Sequence, residues 1–440
     1  MKTTNKIMKC YLLIILLSFS GFVFAQNGKF IRSYATQKAN LKITKNSSEI
    51  KEQKSQIERH IKSIQNKVKF KKIIIPIVFH VLYVDGDRYP DEDQVYSQLD
   101  ALNRDFANKA TRYPNESNII NGFAKVAEDS EIQFCIATGK SGNKEEFGLR
   151  FIPTKKLYWS GDEKLKSEKT GGVSPWSTKD YLNVWVVRLD DTVSGYAQMP
   201  GGPSETDGIV IDYRFFGTIG TAQFPYNEGK TLTHLVGNYL GLYDLWREDS
   251  PCADDFVNDT PIHNAPNYGN PKYRHISLCS NFPVEMTMNF MDNSDDRFLN
   301  MFTIGQKYRM HSILAEGGPR FQLSKQETSC RKQDLSITSN KLKNFISLNQ
   351  ESLVNSLDVK AYPNPAEDQV WLEINSAENI DFLCIVYDAL GRECLKVKNK
   401  LYQGTNLELL NTEQWSNGVY SIHVFVGQKI EVIRVIISKD

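Results

Sequence analysis

The stretch that decides the fold reads Gly229-Lys230-Thr231-Leu232-Thr233-His234-Leu235-Val236-Gly237-Asn238-Tyr239-Leu240-Gly241-Leu242-Tyr243-Asp244. His234 and Asn238 are four residues apart, so on a helix both side chains project from one face. Gly241 is the expected end of that helix, because glycine readily adopts the left-handed conformation that turns the chain back. The turn should deliver Asp244 to the same point. This is the scaffold of a metal-binding helix of the form H-E-x-x-H-x-x-G-x-x-H.

Apolar periodicity around this helix predicts a domain of mixed α and β structure. The β-branched run Ile73–Tyr83 predicts a buried strand, in which His80 is expected to be a core residue rather than a ligand. A helical stripe follows Asp91 and Gln94, whose spacing is that of a capping box. Further strands are predicted at residues 132–137, at 182–189 and near 208–213. Strands that alternate with helices indicate an α/β or α+β domain of the enzyme type, ending near residue 323.

Composition excludes several classes of protein. The chain has 440 residues, with 53 Lys and Arg against 52 Asp and Glu, for a net charge of +1. This balance gives no electrostatic reason to expect nucleic acid or an anionic membrane as the partner. A charged fraction of 24% with 11% aromatic residues is typical of folded domains. The length predicts two or three of them.

The N-terminal residues 1–25 predict a secretory signal peptide. Three lysines precede an apolar stretch, which ends in Ala25 as a cleavage site does. A membrane anchor is the weaker interpretation, because Ser18, Ser20 and Gly21 interrupt a run that is already short for a bilayer. No later segment is long and apolar enough to span one, so no transmembrane segment is expected in the mature chain. Export to an oxidising compartment favours disulfides among the remaining cysteines.

Residues 26–70 are polar and rich in lysine. Ile50, Ile57, Ile61, Ile64 and Val68 recur in them at helical spacing. Two interpretations remain open: an exposed amphipathic helix, or a pro-segment that lies over a cleft.

The C-terminal quarter of the sequence has a different pattern of polar and apolar residues. Residues 326–357 are polar, have little periodicity and are predicted to be a linker. Residues 358–440 contain short alternating runs separated by turn signals, which predict a small β-sandwich.

The helix and its surroundings resemble the pappalysin-type metzincin peptidases. The resemblance implies an α+β zincin domain at residues 71–325 in which a metal helix and a Met-turn meet. It rests on these motifs, which occur in order: residues 75–83, 196–203, 206–213, 216–222, 229–244 and 252–261, and the candidate Met-turn Met288-Asn289-Phe290-Met291-Asp292.

Departures from the family pattern decide what this resemblance implies about activity. In that family three histidines bind zinc, a glutamate beside the first histidine activates water, and a tyrosine after the Met-turn methionine assists. Here His234 keeps the first position, while Asn238 and Asp244 take the other two ligand positions. Leu235 stands at the glutamate position and Asn293, two residues after Met291, at the tyrosine position.

These replacements predict a catalytically impaired homologue that binds polypeptide, with zinc binding doubtful. A positioned general base contributes about 10²–10⁴ in rate, and leucine cannot accept a proton. An asparagine amide is also a poorer zinc ligand than imidazole. The alternative is an active secreted metalloendopeptidase with an atypical metal site made of His234, Asn238 and Asp244.

The resemblance also implies cross-links and a calcium loop between the metal helix and the Met-turn. Cys252 and Cys279 match one family disulfide. A Cys135–Cys330 bridge across the domain and a Cys384–Cys394 bridge in the tail are further candidates. Five residues resemble a calcium-binding portion of the loop, and loop acids that cap turns are the other interpretation. They are Asp254, Asp255, Val257, Asp259 and Thr260.

Residues 358–440 resemble a type IX secretion C-terminal sorting domain. The resemblance rests on Tyr362-Pro363-Asn364-Pro365-Ala366, Tyr387-Asp388-Ala389-Leu390-Gly391 and Gly418-Val419-Tyr420, and on an end that contains Lys439. It implies a partner in the type IX secretion machinery and a protein that is secreted or attached to the outer surface. A generic carbohydrate- or protein-binding sandwich is the other interpretation.

Overall fold

The computed structural model describes residues 36, 48–64, 68–109, 122–141, 144–190, 193–247, 252–271, 274–326, 329–330, 359–376, 379–389, 392–402, 404–426 and 429–439. The predicted signal peptide and most of the predicted linker lie outside these residues. The chain divides into two compact units, Met1–Leu335 and Ser336–Asp440. None of the helices in the described part is long and apolar enough to cross a membrane.

A mixed sheet of six strands forms the centre of the first unit. Its order is β2-β1-β6-β8-β7, and β5 pairs with the second half of β1. All pairs are parallel except that of β7, which runs antiparallel to β8 at one edge. The strands of this unit are β1 (Ile73–Tyr83), β2 (Ile132–Ile136), β3 (Thr138–Ser141), β4 (Lys144–Phe147), β5 (Leu149–Pro153), β6 (Leu182–Val187), β7 (Gly195–Ala197) and β8 (Ile209–Asp212), with β3 and β4 in a separate hairpin.

Four α-helices accompany this sheet in the described residues. They are α1 (Ser48–Ser63), α2 (Glu92–Phe106), α3 (Lys230–Tyr239) and α4 (Ile304–Leu314). Short 3₁₀ turns lie at Glu163–Lys166, Glu168–Thr170, Ser204–Thr206, Tyr213–Phe215, Asp296–Phe298 and Phe321–Lys325. Helices α2 and α3 pack on the sheet through one continuous apolar core.

The predicted start of α2 is confirmed, but the second half of its capping box is not. The Asp91 carboxylate accepts a hydrogen bond from the Gln94 backbone N–H at 2.8 Å. The Gln94 side chain instead reaches across to the segment after β8, donating to the Phe216 carbonyl at 2.7 Å and accepting from the Thr221 N–H at 2.8 Å. The Gln94 side chain, which was predicted to cap its own helix, therefore hydrogen-bonds to the loop after β8.

His80 is a core residue, as predicted. Its Nε2 lies 2.9 Å from the Asn183 amide oxygen, and its ring stacks on Trp185 with centroids 5.3 Å apart. Burial lowers the pKa of His80 from 6.5 to about 4, with the nearby Arg150 adding to the shift and the Asn183 hydrogen bond opposing it. The ring is therefore neutral at physiological pH.

Two disulfides cross-link the first unit, both at predicted pairs. Cys252 and Cys279 are joined, as are Cys135 on β2 and Cys330. The second bridge ties Cys330 to the sheet, so structure continues beyond the domain end expected at residue 325.

The second unit is a sandwich of two antiparallel sheets, as the alternating runs of residues 358–440 predict. One sheet has the order β13-β10-β9 and the other β12-β11-β14-β15, and a shared apolar core lies between them. The strands are β9 (Val359–Tyr362), β10 (Gln369–Ser376), β11 (Ile380–Tyr387), β12 (Glu393–Leu401), β13 (Gly404–Asn411), β14 (Gly418–Val426) and β15 (Lys429–Ile437).

The candidate Cys384–Cys394 bridge is wrong. Both cysteines carry free thiols, and Cys384 is buried while Cys394 is exposed. The register of β11 and β12 places Val397 opposite Cys384, and an irregularity in the pairing falls between Val386 and Tyr387, next to Cys394. The two side chains therefore do not face each other.

Candidate functional site

Helix α3 is anchored at both ends. At its start, the Lys230 ammonium and the Thr233 hydroxyl both donate to the buried carboxylate of Asp105, at 2.5 and 2.7 Å. At its end, Gly241 has φ 90°, a conformation that glycine adopts without strain, and the Leu242 N–H donates to the Gly237 carbonyl at 2.9 Å. The predicted reversal of the chain after α3 is thus confirmed.

This reversal brings together the three residues at the ligand positions. The His234 Nε2 atom lies 3.0 Å from the Asp244 Oδ1 atom, and the Asn238 Nδ2 atom donates to the same oxygen at 3.0 Å. Asn238 also donates to the Leu242 carbonyl at 3.2 Å. All three side chains are buried. The structure therefore confirms the predicted convergence and shows these side chains bonded to one another.

Both ring nitrogens of His234 face acceptors. The Nδ1 atom lies 2.8 Å from the Phe290 carbonyl oxygen, and the Nε2 atom faces the Asp244 carboxylate. Donation from Nδ1 to a backbone carbonyl is how metal-binding histidines are commonly oriented.

Leu235 fills the space at the general-base position. It is fully buried, and its Cδ1 atom would lie 2.7 Å from a Cβ added to Gly195, so it packs directly beneath the edge strand β7. Because its side chain is purely aliphatic, it can neither hold a water molecule nor take a proton from one.

The Met-turn lies where the sequence predicts it. The Met291 sulfur would lie 2.5 Å from a Cβ added to Gly237, so only glycine allows the turn to approach α3 this closely. The methionine is fully buried, and so is Asn293 at the tyrosine position. Asn293 is therefore enclosed in the protein rather than presented to a cleft.

The acids of the candidate calcium loop are engaged in local hydrogen bonds. Asp254 accepts from the Phe256 N–H at 2.7 Å. Asp255 accepts from the Thr260 hydroxyl at 2.9 Å and from the Val257 N–H at 3.2 Å. These contacts match the turn-capping interpretation.

Asp259 joins the loop to helix α4. Its carboxylate accepts from the Thr303 hydroxyl at 2.7 Å and from the Gly305 N–H at 2.8 Å, next to the start of the helix.

Burial raises the pKa of Asp255 to about 7, against the opposing hydrogen bonds from Thr260 and Val257. Among the described residues, no group of three or more His, Cys, Asp and Glu side chains is arranged to hold a metal ion.

The edge strand β7 already has a neighbour from the N-terminal region. The Ala197 N–H donates to the hydroxyl of Thr36 at 3.0 Å, and Thr36 is buried there. Tyr196 points into the core, with its hydroxyl donating to the Asp162 carbonyl at 3.0 Å, and burial raises its pKa. The backbone of this edge strand is thus contacted by the chain's own N-terminal part.

A cleft of about 770 Å³ follows this edge. Helix α1 forms one wall through Gln53, Gln56 and His60. The opposite walls come from the segment after β7 and from residues 317–323. Helix α1 therefore packs on the domain through one face and lines this cleft, and a pro-segment role for residues 26–70 stays a prediction.

Two ion pairs with buried arginines near this cleft were not predicted from the sequence. Glu58 of α1 pairs with Arg309 of α4, and Asp207 pairs with Arg320. The partners in each pair are more than a hundred residues apart along the chain, so no local spacing in the sequence predicts the pairs.

Known proteins resemble both units. The family model described as pregnancy-associated plasma protein-A matches residues 167–315, and the secretion system C-terminal sorting domain matches residues 360–438. Among solved structures, Tannerella forsythia promirolysin is 32% identical with a TM-score of 0.59, covering 65% of this chain and 94% of that one. Mature mirolysin in complex with a cleaved peptide is 34% identical with a TM-score of 0.54, covering 58% and 97%.

Curated relatives are extracellular metalloproteases. One from Arthroderma benhamiae is 30% identical over 253 residues, which are 55% of this chain and 72% of that protein. One from Coccidioides posadasii is 38% identical over 139 residues, which are 30% and 49%. With the sorting domain, these relatives show that the protein is secreted or attached to the cell surface. The chain belongs to the pappalysin family of metallopeptidases.

Proposed function

We propose that this protein binds polypeptide without cleaving it. The observation that carries the proposal is the set of hydrogen bonds among His234, Asn238 and Asp244, with Leu235 packed beside them. The fold of a peptidase is kept, while the residues at the ligand positions hydrogen-bond to one another and an aliphatic side chain stands at the general-base position.

Hydrolysis by the family mechanism needs a proton acceptor next to the attacking water. Leu235 offers none, and a lost general base costs about 10²–10⁴ in rate. Asn293, in place of the assisting tyrosine, is enclosed in the core. The two losses fall on different elements, so repair of one position alone leaves the other.

The ligand set fits zinc poorly. Zinc sites favour imidazole and thiolate, and here the set comprises one imidazole, one carboxylate and one neutral amide. Asn238 directs its NH₂ group, a donor, toward the point where the other two meet. Its Oδ1 atom has no hydrogen-bond partner within the described structure, so a rotated amide would be the third ligand of any residual site.

Polypeptide binding is supported by what the domain retains. The edge strand β7 and the cleft that follows it are present, and strand addition at a sheet edge is a general mode of peptide recognition. Mature mirolysin, with a similar fold, was solved in complex with a cleaved peptide. The sorting domain supports an interaction with the type IX secretion machinery. This interaction would take place during export, before the protein binds its polypeptide ligand.

Metal analysis combined with a peptide-library cleavage assay tests this proposal, with His234→Ala as the matched control. We expect no stoichiometric zinc, no cleavage sensitive to chelators, and measurable binding of library peptides. Zinc at one equivalent with cleavage that His234→Ala abolishes would instead establish an active metalloendopeptidase with an atypical site.

Calcium binding by the loop stays a prediction. Titration calorimetry with calcium on the full chain measures it, and Asp255→Asn is the informative variant because Asp255 is the most enclosed of the loop acids. The outcome is independent of the zinc question, since none of the loop acids lies on α3.

A further inference from the structure

Helix α1 rests on the first unit through a charged contact at its centre. The two carboxylate oxygens of Glu58 accept from the two terminal nitrogens of Arg309, at 2.9 and 2.5 Å. This fork-to-fork arrangement fixes direction as well as distance, because both hydrogen bonds must be made in one plane. Glu58 is thus bound in a defined orientation.

Arg309 is held ready for a carboxylate by the rest of the domain. Its Nε atom donates to the Gly241 carbonyl at 2.7 Å, and its guanidinium lies 5.1 Å from the centre of the Tyr243 ring. Its side chain is only 4% exposed. A buried guanidinium with its plane fixed by other contacts is a preformed receptor for an acidic side chain.

Apolar and backbone contacts flank this receptor on both sides. One turn of α1 places Ile57 next to Gly201, where an added Cβ would lie 3.1 Å from the Ile57 Cδ1 atom. Ile61 is buried, and the His60 Nε2 atom lies 3.2 Å from the Ser312 carbonyl oxygen. The surface around Arg309 therefore favours a helix with the pattern Ile-Glu-x-x-Ile.

We propose that α1 is a built-in ligand, and that the Arg309 groove binds amphipathic helices of other polypeptides that carry the pattern Ile-Glu-x-x-Ile when α1 is displaced. The groove is defined by Arg309, Gly241, Tyr243, Pro200, Gly201 and Ile313. The proposal rests on the proposed polypeptide-binding function and names its ligand class. The polypeptide would bind as a helix at Arg309 and not as a strand added to the edge of β7.

The test uses the full chain with a site-specific protease sequence in place of residues 65–67. After cleavage, a fluorescent peptide that corresponds to residues 48–64 is added, and its exchange into the groove is followed by anisotropy. We expect saturable binding. The Glu58→Gln peptide should bind at least about tenfold more weakly, because hydrogen bonds to charged groups are the stronger class.

The matched control is the Glu52→Gln peptide. Glu52 lies on the solvent face of α1, 59% exposed, and pairs only with groups of α1 itself in the contacts seen here. This peptide should bind like the parent. In the Arg309→Gln protein, the parent and the Glu58→Gln peptide should bind equally, because the receptor is gone.

Two outcomes would overturn the inference: no exchange of the labelled peptide, or equal binding of the Glu58→Gln and Glu52→Gln peptides. Either result leaves the proposed function standing if library peptides still bind the uncut chain. Conversely, zinc-dependent cleavage by the chain would refute the proposed function without changing the peptide affinities measured at Arg309.

Discussion

Asp244 and Glu58 both bring a carboxylate to a buried nitrogen-bearing side chain, but their partners lie at different distances along the chain. Asp244 meets His234, ten residues away, within one helix and its turn. Glu58 meets Arg309, 251 residues away, from a helix that packs over the domain. The first pair closes within a local segment, whereas the second depends on a separate element remaining in place.

The two pairs correspond to the two parts of our proposals. In the proposed function, the His234–Asp244 hydrogen bond occupies the ligand positions from within one helix and its turn. In the proposed exchange at Arg309, Glu58 can leave because it belongs to a separate helix.

The largest expected effect comes from breaking the local pair. Asp244→Ala leaves the His234 Nε2 and the Asn238 NH₂ group without their shared acceptor, and we expect the free energy of unfolding to fall by about 4 kcal/mol, because each buried polar group left unsatisfied costs about 1–3 kcal/mol. Scanning calorimetry, which resolves the transition of the first unit, measures it.

A double variant shows whether the pair acts as a unit. His234→Leu combined with Asp244→Leu removes both polar partners, and it should cost less than the sum of the two single substitutions. Additive costs would mean that Asp244 supports the turn without depending on His234.

Much of the fold around these pairs follows from local sequence. The strands β1, β2, β6 and β8 were predicted because parallel strands buried on both faces are continuous β-branched and apolar runs. The meeting of His234, Asn238 and Asp244 was predicted because helix spacing and one glycine determine it. Both predictions depend only on residues that are close together in the sequence.

The elements that sequence reasoning missed depend on partners far along the chain. Strand β13 is rich in polar residues and pairs with β10 along its whole length, yet nothing in Gly404–Asn411 alone distinguishes it from a loop. The Glu58–Arg309 pair is missed for the same reason. The sequence predicts that His234, Asn238 and Asp244 lie close together, but not that they hydrogen-bond to one another. Residue types alone do not show whether candidate metal ligands are already engaged in hydrogen bonds.

His80 sharpens the comparison as a buried histidine whose partner is an amide instead of a carboxylate. Burial lowers its pKa to about 4, so between pH 6.5 and 4 the unfolded chain takes up a proton that the folded chain does not. The free energy of unfolding therefore falls as the pH falls through this window, by about 3 kcal/mol in total.

The His80→Gln variant isolates this contribution. The difference in unfolding free energy between the parent and the variant should change with pH only between about 6.5 and 4, and be flat above. Carboxylates and His311, whose pKa burial also lowers, act equally in both proteins and cancel in the difference. A difference that stays constant down to pH 4 would contradict the assigned shift.

The smallest effect tests the distant pair within the intact chain. Glu58→Gln keeps the shape of the side chain but removes its charge, and we expect α1 to lose about 2 kcal/mol of local stability, since Glu58 is partly exposed. Amide hydrogen exchange should then be about 30-fold faster in α1, while β1 keeps its protection. Glu52→Gln, on the solvent face of the same helix, should change exchange by less than about twofold, as expected for an exposed charge. Equal acceleration by both variants would show that overall helix charge, rather than the Arg309 contact, holds α1 in place. Acceleration that spreads to β1 would show that the distant pair is as integral to the folded unit as the local one, and that α1 does not leave by itself.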